Sequence, residues 1–181
     1  MKTTFGSPRW FLLNAAIAWS VVSGATALAQ SQTNKLRVGV YDSRAIAIAY
    51  GNSAQFRKSL ESVQADYKKA KEEKNDKQAK EIDARMKLQQ RRFHEQGFST
   101  GSVAGIMATV KDSLPAVAKK AGVQVIVSKW ELNSQSPEVE VVEVTDELVA
   151  LFRPSEKVLG WVKDLKNHPP MPLEKITDDM D

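Results

Sequence analysis

Gly97-Phe98-Ser99-Thr100-Gly101 is a G-x-S-x-G pentad, the spacing that exposes a nucleophilic serine when it lies between a strand and a helix. Asp146 and His168 follow in the chain order that an acid–base triad on such a serine would use. The surroundings argue against it. Gln89 to Gln96, just before the pentad, are polar and helical in spacing, and His168 stands in a Pro-rich tail. A hydrolase on Ser99 is therefore the lesser expectation. Gly97, Gly101 and Gly105, in steps of four, read instead as a bend or as room for another backbone. The chain has no Cys and two His, His94 and His168, which removes thiol catalysis, thiolate metal sites and a histidine cluster. It has no Gly-rich phosphate loop, calcium loop or internal repeat. No catalytic, cofactor or metal residue is assigned, and a non-enzymatic role is expected.

The other chemistry on offer is binding. Residues 53–96 hold twelve basic residues against eight acids, a local net charge of +4. Lys68, Lys71, Lys87 and Arg91 are the cations expected to meet a partner, which could be an acidic polypeptide or an acidic membrane surface. The plainer reading of the same residues is a solvated helix face. Phe56, Tyr67, Phe93 and Phe98 are core of a two-helix arm, or, half covered there, a grip for an apolar client. Trp130 and Trp161 read as packing anchors.

These residues must be carried by helices. Phe56, Leu60, Val63, Tyr67 and Ala70 alternate in steps of four and three, the seam of a helix that packs on a helix. A second ladder, Ile82, Met86, Gln89, Phe93, Gln96, Thr100, Val103 and onward to Ala121, starts one residue out of phase. Between them stands the turn-prone Lys74-Asn75-Asp76. A fold-back at residues 74 and 75 brings Phe56 to Phe93, Val63 to Met86, Tyr67 to Ile82 and Ala70 to Ala79. The sequence thus predicts a hairpin arm over about 53–98, whose second helix continues to Ala121 and ends at Gly122. Pro115 is expected to restart that helix, with Ser113 as its cap.

Around the arm, Leu36 to Tyr41, Val123 to Val127 and Val139 to Val142 read as three short strands. Asp42 and Ser43 cap a short Ala/Ile-rich helix, and Ser155 starts a late one carrying Trp161. The fold class is α+β: a small three-stranded sheet body with a protruding antiparallel hairpin. So small a sheet leaves open edges, and joining the strands of several subunits would remove them. The boundaries expected are a signal peptide over 1–29, a linker over 30–35, one domain over 36–166 and a disordered acidic tail over 167–181.

Lys2 and Arg9, the apolar run Trp10 to Val22 and Ala27-Leu28-Ala29 make the signal, cleaved between Ala29 and Gln30, with an uncleaved anchor as the alternative. Export places the protein in the periplasm, where nucleic acid is not an expected partner. Without Cys, an exported chain relies on packing, oligomerisation or both for stability.

The order strand, helical hairpin, strand pair, terminal helix resembles the Skp-like (OmpH) family of periplasmic chaperones, with a shortened hairpin. Leu36 to Tyr41, Ile106 to Val127 and Val142 to Leu151 carry the resemblance, over roughly residues 36–152. It implies a homotrimer around a strand barrel, built here from Val38, Val40, Val125, Val127, Val139 and Val141. It also implies unfolded or outer-membrane proteins as clients and no cofactor. The function expected is a chaperone-like holdase, the alternative a structural module that docks on one envelope partner.

Overall fold

The computed structural model describes residues 35–177, so the signal peptide and its cleavage point at Ala29 and Gln30 lie outside the described residues. The fold is α+β. Its sheet has three strands in the order β2-β1-β3, with β1 (Arg37–Tyr41) in the middle, β2 (Val125–Ser128) on one side and β3 (Glu140–Glu143) on the other. Both neighbours run parallel to β1. Val38 stands level with Val125 and Val141, and Gly39 with Ile126 and Val142.

Alternation along each strand then sorts the side chains into two faces. Gly39, Tyr41, Ile126 and Val142 point to the helical side, where Tyr41, Ile126 and Val142 join the main core. Gly39 sits where the side chains of Val123 and Val144 close over the strand, with a Cβ position only 3.1 and 3.2 Å from them. The opposite face carries Val38, Val40, Val125, Val127 and Val141, and none of these belongs to the main core. Val38 and Val40 are buried by their neighbours, whereas Val125 is 44% and Val141 37% exposed. Val139 lies in the turn before β3 and is half-buried.

The core is built around α1 (Ser43–Gly51), which follows β1 directly. Its composition, SRAIAIAYG, has no wholly polar face, as befits a helix surrounded by protein. It is flanked by α3 (Asp76–Phe98), α6 (Thr145–Ala150) and α7 (Glu156–Asp164). Ile46 of α1 and Leu148 of α6 are fully buried. The Ser155 hydroxyl caps α7 by accepting from Val158 N.

The arm is a helical hairpin, α2 (Ala54–Glu72) and α3 (Asp76–Phe98). Ser53 caps α2 and Asn75 caps α3, each accepting a backbone N–H with its side-chain oxygen. The reversal is made by Lys74, whose φ of 54° is left-handed, and Asn75 N donates back to Ala70 O at 2.9 Å. At the tip Ala70, Ala79 and Ile82 are buried together, with Val63, Tyr67 and Met86 packed against them. At the root the Phe56 and Phe93 rings meet edge to face at 4.6 Å. This is the register that the two ladders give for a turn at 74 and 75.

The return helix does not continue to Ala121. It ends at Phe98, and the chain resumes in the short α4 (Ala104–Ala108), a 3-10 turn over Lys111–Ser113 and α5 (Leu114–Ala121). The break is fixed by close contacts: Gly101 N donates to Glu95 O at 3.0 Å, and the Gln96 amide donates to Ser102 O at 2.6 Å. Pro115 does open a new helix, but Ser113 makes no side-chain cap. Gly122 ends α5 at φ 65°, the left-handed stop.

The segment expected to be disordered is instead held along the body as far as the described residues reach. Met171 N donates to Phe98 O at 2.8 Å, the Ser99 hydroxyl donates to Met171 O at 2.5 Å, and Ile176 is buried. Among the described residues no helix is long and apolar enough to cross a membrane.

The glycines of the bend separate cleanly. A Cβ at Gly101 would stand 2.7 Å from the Glu95 carbonyl carbon, whereas one at Gly97 would meet nothing. Gly101→Ala should cost about 1–3 kcal/mol by forcing backbone apart. Gly97→Ala, inside α3, should gain about 0.5–1 kcal/mol. Urea unfolding of both variants checks the pair, and equal effects would refute the tight bend.

Candidate functional site

Where the arm meets the body, α1, α2 and α3 do not close completely. Ile48 of α1, Phe56 and Leu60 of α2, and Met86, Phe93 and Phe98 of α3 line a cavity of about 430 Å³ between them. The aromatic residues are fixed from behind: Tyr50 lies 5.5 Å from Phe56, 6.2 Å from Phe93 and 5.8 Å from Phe152. Phe98 is held less firmly. It ends α3, is 50% exposed, and touches His94 at 5.6 Å between ring centres. His94 also lines the cavity, and its Nδ1 is buried without a hydrogen-bond partner. The groove can receive apolar side chains by burial.

Three of the four expected aromatic residues, Phe56, Phe93 and Phe98, meet there, while Tyr67 packs near the tip with Ala70 and Ile82. The four cations lie along the exposed outside of the arm and are paired locally. Lys68 faces Glu72 at 3.9 Å, Lys71 faces Asp76 at 4.0 Å, Lys87 faces Asp83 at 3.2 Å and Arg91 faces Glu95 at 3.3 Å. Exposed pairs of this kind contribute only a few tenths of a kcal/mol each, so their charges remain available for steering.

The pentad serine and its expected partners are not brought together. Ser99 is buried and bonded to Met171 O, the exposed His168 ring contacts Asp164 at 3.1 Å, and Asp146 is exposed in the first turn of α6. Among the described residues no cluster of metal-ligating side chains is found. Trp130 is held in place by cations, with Lys129 Nζ 4.5 Å and the Arg44 guanidinium 5.3 Å from its ring. Trp161 is exposed, under Lys157 at 5.1 Å.

Sequence reasoning missed the most polar part of the interior. Asp42 follows β1 and caps α1, and its carboxylate accepts from Arg44 N, Arg44 Nε, Arg44 Nη2, Lys129 Nζ and the Trp130 indole N–H. The Arg44 and Lys129 contacts to Oδ2 are both 2.8 Å. Arg44 is itself buried and donates onward to His168 O at 2.7 Å and Leu165 O at 3.3 Å. On the backbone side, Asp42 N donates to Thr145 Oγ1, which bonds the Glu143 carboxylate. The only local signal for this was Asp42 two residues before Arg44 at a strand end. Burial alone would raise the Asp42 pKa, but the hydrogen bonds and charges of Arg44 and Lys129 outweigh it and hold it at about 2.

Comparison of this chain with protein-family models, with curated proteins and with solved structures finds no match.

A depressed carboxylate pKa stabilises the fold above the ordinary value of 3.8, and that contribution is lost as pH falls through about 2. Asp42→Asn should therefore cost about 3–5 kcal/mol at neutral pH, because Arg44 is left buried without its anion. It should also flatten the stability profile on the acid side. Denaturant unfolding from pH 7 to pH 2 measures both, and an unchanged acid limb would show that the pair is not what acid breaks.

Proposed function

We propose that this chain is an exported, non-catalytic polypeptide-binding protein that holds apolar segments of unfolded or outer-membrane proteins at the root of its hairpin arm. The observation that carries the reading is the half-open aromatic groove of about 430 Å³ between α1 and the hairpin. Phe98 at its lip is half exposed. The second support is electrostatic. The arm carries a net charge of +4 over residues 53–96, which draws acidic clients or acidic lipid surfaces from a distance. Capture of this kind needs burial and steering and no reacting group.

The signal-like first 29 residues support a periplasmic location for this activity. The uncovered valine face favours assembly. A parallel sheet normally has both faces covered, and here Val125 and Val141 are open to solvent beside the buried Val38 and Val40. A second and third copy packed on this face would complete the body as a homotrimer.

Two measurements test the proposal. Phe98→Ala should weaken binding of unfolded outer-membrane protein about tenfold, the scale of one buried aromatic contact, without changing the melting temperature. Changing Lys68, Lys71, Lys87 and Arg91 together to Glu should slow capture at low salt, with the difference fading as salt is raised. Undiminished capture by both variants would sink the reading, and tight binding to a single envelope protein would support a docking module instead. For the assembly, sedimentation of the mature chain should give a trimer that Val125→Asp dissociates. A wild-type monomer at micromolar concentration would remove that part of the proposal.

A further inference from the structure

A second cavity lies away from the groove, where β1 and β2 end side by side at Tyr41 and Ser128. In parallel sheets this carboxyl end of the strands is the side on which ligands are taken. The cavity holds about 270 Å³. Val103, Met107, Leu114 and Ile126 give it an apolar floor, and residues 100–102 of the bend after α3 form part of its wall. Its polar lining includes Tyr41, Ser43 and Glu131.

Ser43 is the unusual member. It is 1% exposed, and its hydroxyl makes no hydrogen bond. Buried hydroxyls are nearly always paired, so one without a partner beside a cavity is a place where a ligand atom would be welcome. The charge at the site is one-sided. Glu131 lines the cavity and has no ion pair among the described residues. Arg44 and Lys129, the cations next in sequence to Ser43 and close to Glu131, are engaged by Asp42. The start of α1 does not offer itself to an anion either, because Asp42 already accepts from Arg44 N, Ala45 N and Ile46 N. Tyr41 reports the same field: its phenol pKa is raised by burial first and by the Glu131 charge second.

We propose that this cavity binds a small organic ammonium ion, a primary amine on a compact apolar body. The ammonium donates to the Glu131 carboxylate and to the hydroxyl oxygens of Ser43 and Tyr41, while the body rests on Val103, Met107 and Ile126. The site shares no lining residue with the aromatic groove, so it stands apart from the polypeptide-binding reading.

Three probes of one shape test it on the full mature chain: phenethylamine, 2-phenylethanol and 3-phenylpropionate, followed by calorimetry and thermal shift. The amine should bind about tenfold tighter than the alcohol, the scale of one charge-assisted hydrogen bond, and the carboxylate should not bind. Glu131→Gln, at an exposed position, should erase the preference for the amine. Ser43→Ala should weaken the amine several-fold and leave the melting temperature of the free protein equal or higher, since its hydroxyl has no partner to lose. Phe98→Ala should leave amine binding unchanged. The proposal is overturned by absence of binding at millimolar amine, by equal or stronger binding of the carboxylate, by a Glu131→Gln variant that keeps the preference, or by a Ser43→Ala variant that loses stability at unchanged amine affinity.

Discussion

The Asp42 carboxylate is the point on which the body depends. It stands at the end of the central strand, buried, with donors from the backbone and side chain of Arg44, from Lys129 after β2 and from Trp130. A buried carboxylate tolerates no missing donor, so the segments that supply them are held to it. Arg44 extends the constraint to the residues after α7 by donating to the carbonyls of Leu165 and His168. One ion pair therefore joins the middle strand, the first helix, the segment after β2 and the residues after α7. Its value lies in fixing that arrangement, since buried ion pairs as such add little net stability.

The sheet built on this point is unequal on its two faces. The helical face is closed by α1 and α6, and Gly39 lets Val123 and Val144 approach the middle strand. The valine face leaves Val125 and Val141 exposed, and among the described residues the outer edges of β2 and β3 are unpaired. Three short strands bury little alone, so most of the stability of the body must come from the helices packed on one side.

The arm follows a different logic. At its tip, Ala70 and Ala79 are small enough for the two helices to approach closely, and Ile82 fills the space that remains. At its root, larger rings hold the helices apart, and the gap between them is the groove. Residue size along one seam thus produces both a closed tip and an open root. The bend after Phe98 belongs to the same design, because it leaves Phe98 at the rim instead of carrying α3 across the opening.

What the sequence determined by itself was local. The hairpin register followed from two out-of-phase heptad ladders and a single Asn75 turn, and Ser53, Ser155 and Gly122 act as helix signals where they were read. These features rest on hydrogen bonds and steric contacts within a few residues, or on a repeat whose partner is set by one turn. What only the tertiary structure decided was long-range. The ladder runs on through Thr100 and Val103 without a visible stop, yet the helix ends at Phe98, where the Gly101 amide folds back on Glu95 and the tail is bound at Met171. Strand direction was equally illegible, because alternation looks the same in parallel and antiparallel pairs. Nothing beside Arg44 in the sequence marks it for burial; Leu165 and His168, more than a hundred residues away, bring carbonyls to its guanidinium. A buried charge is stable only when all its partners are assembled, and no short stretch of sequence can record partners that the folded core alone brings together.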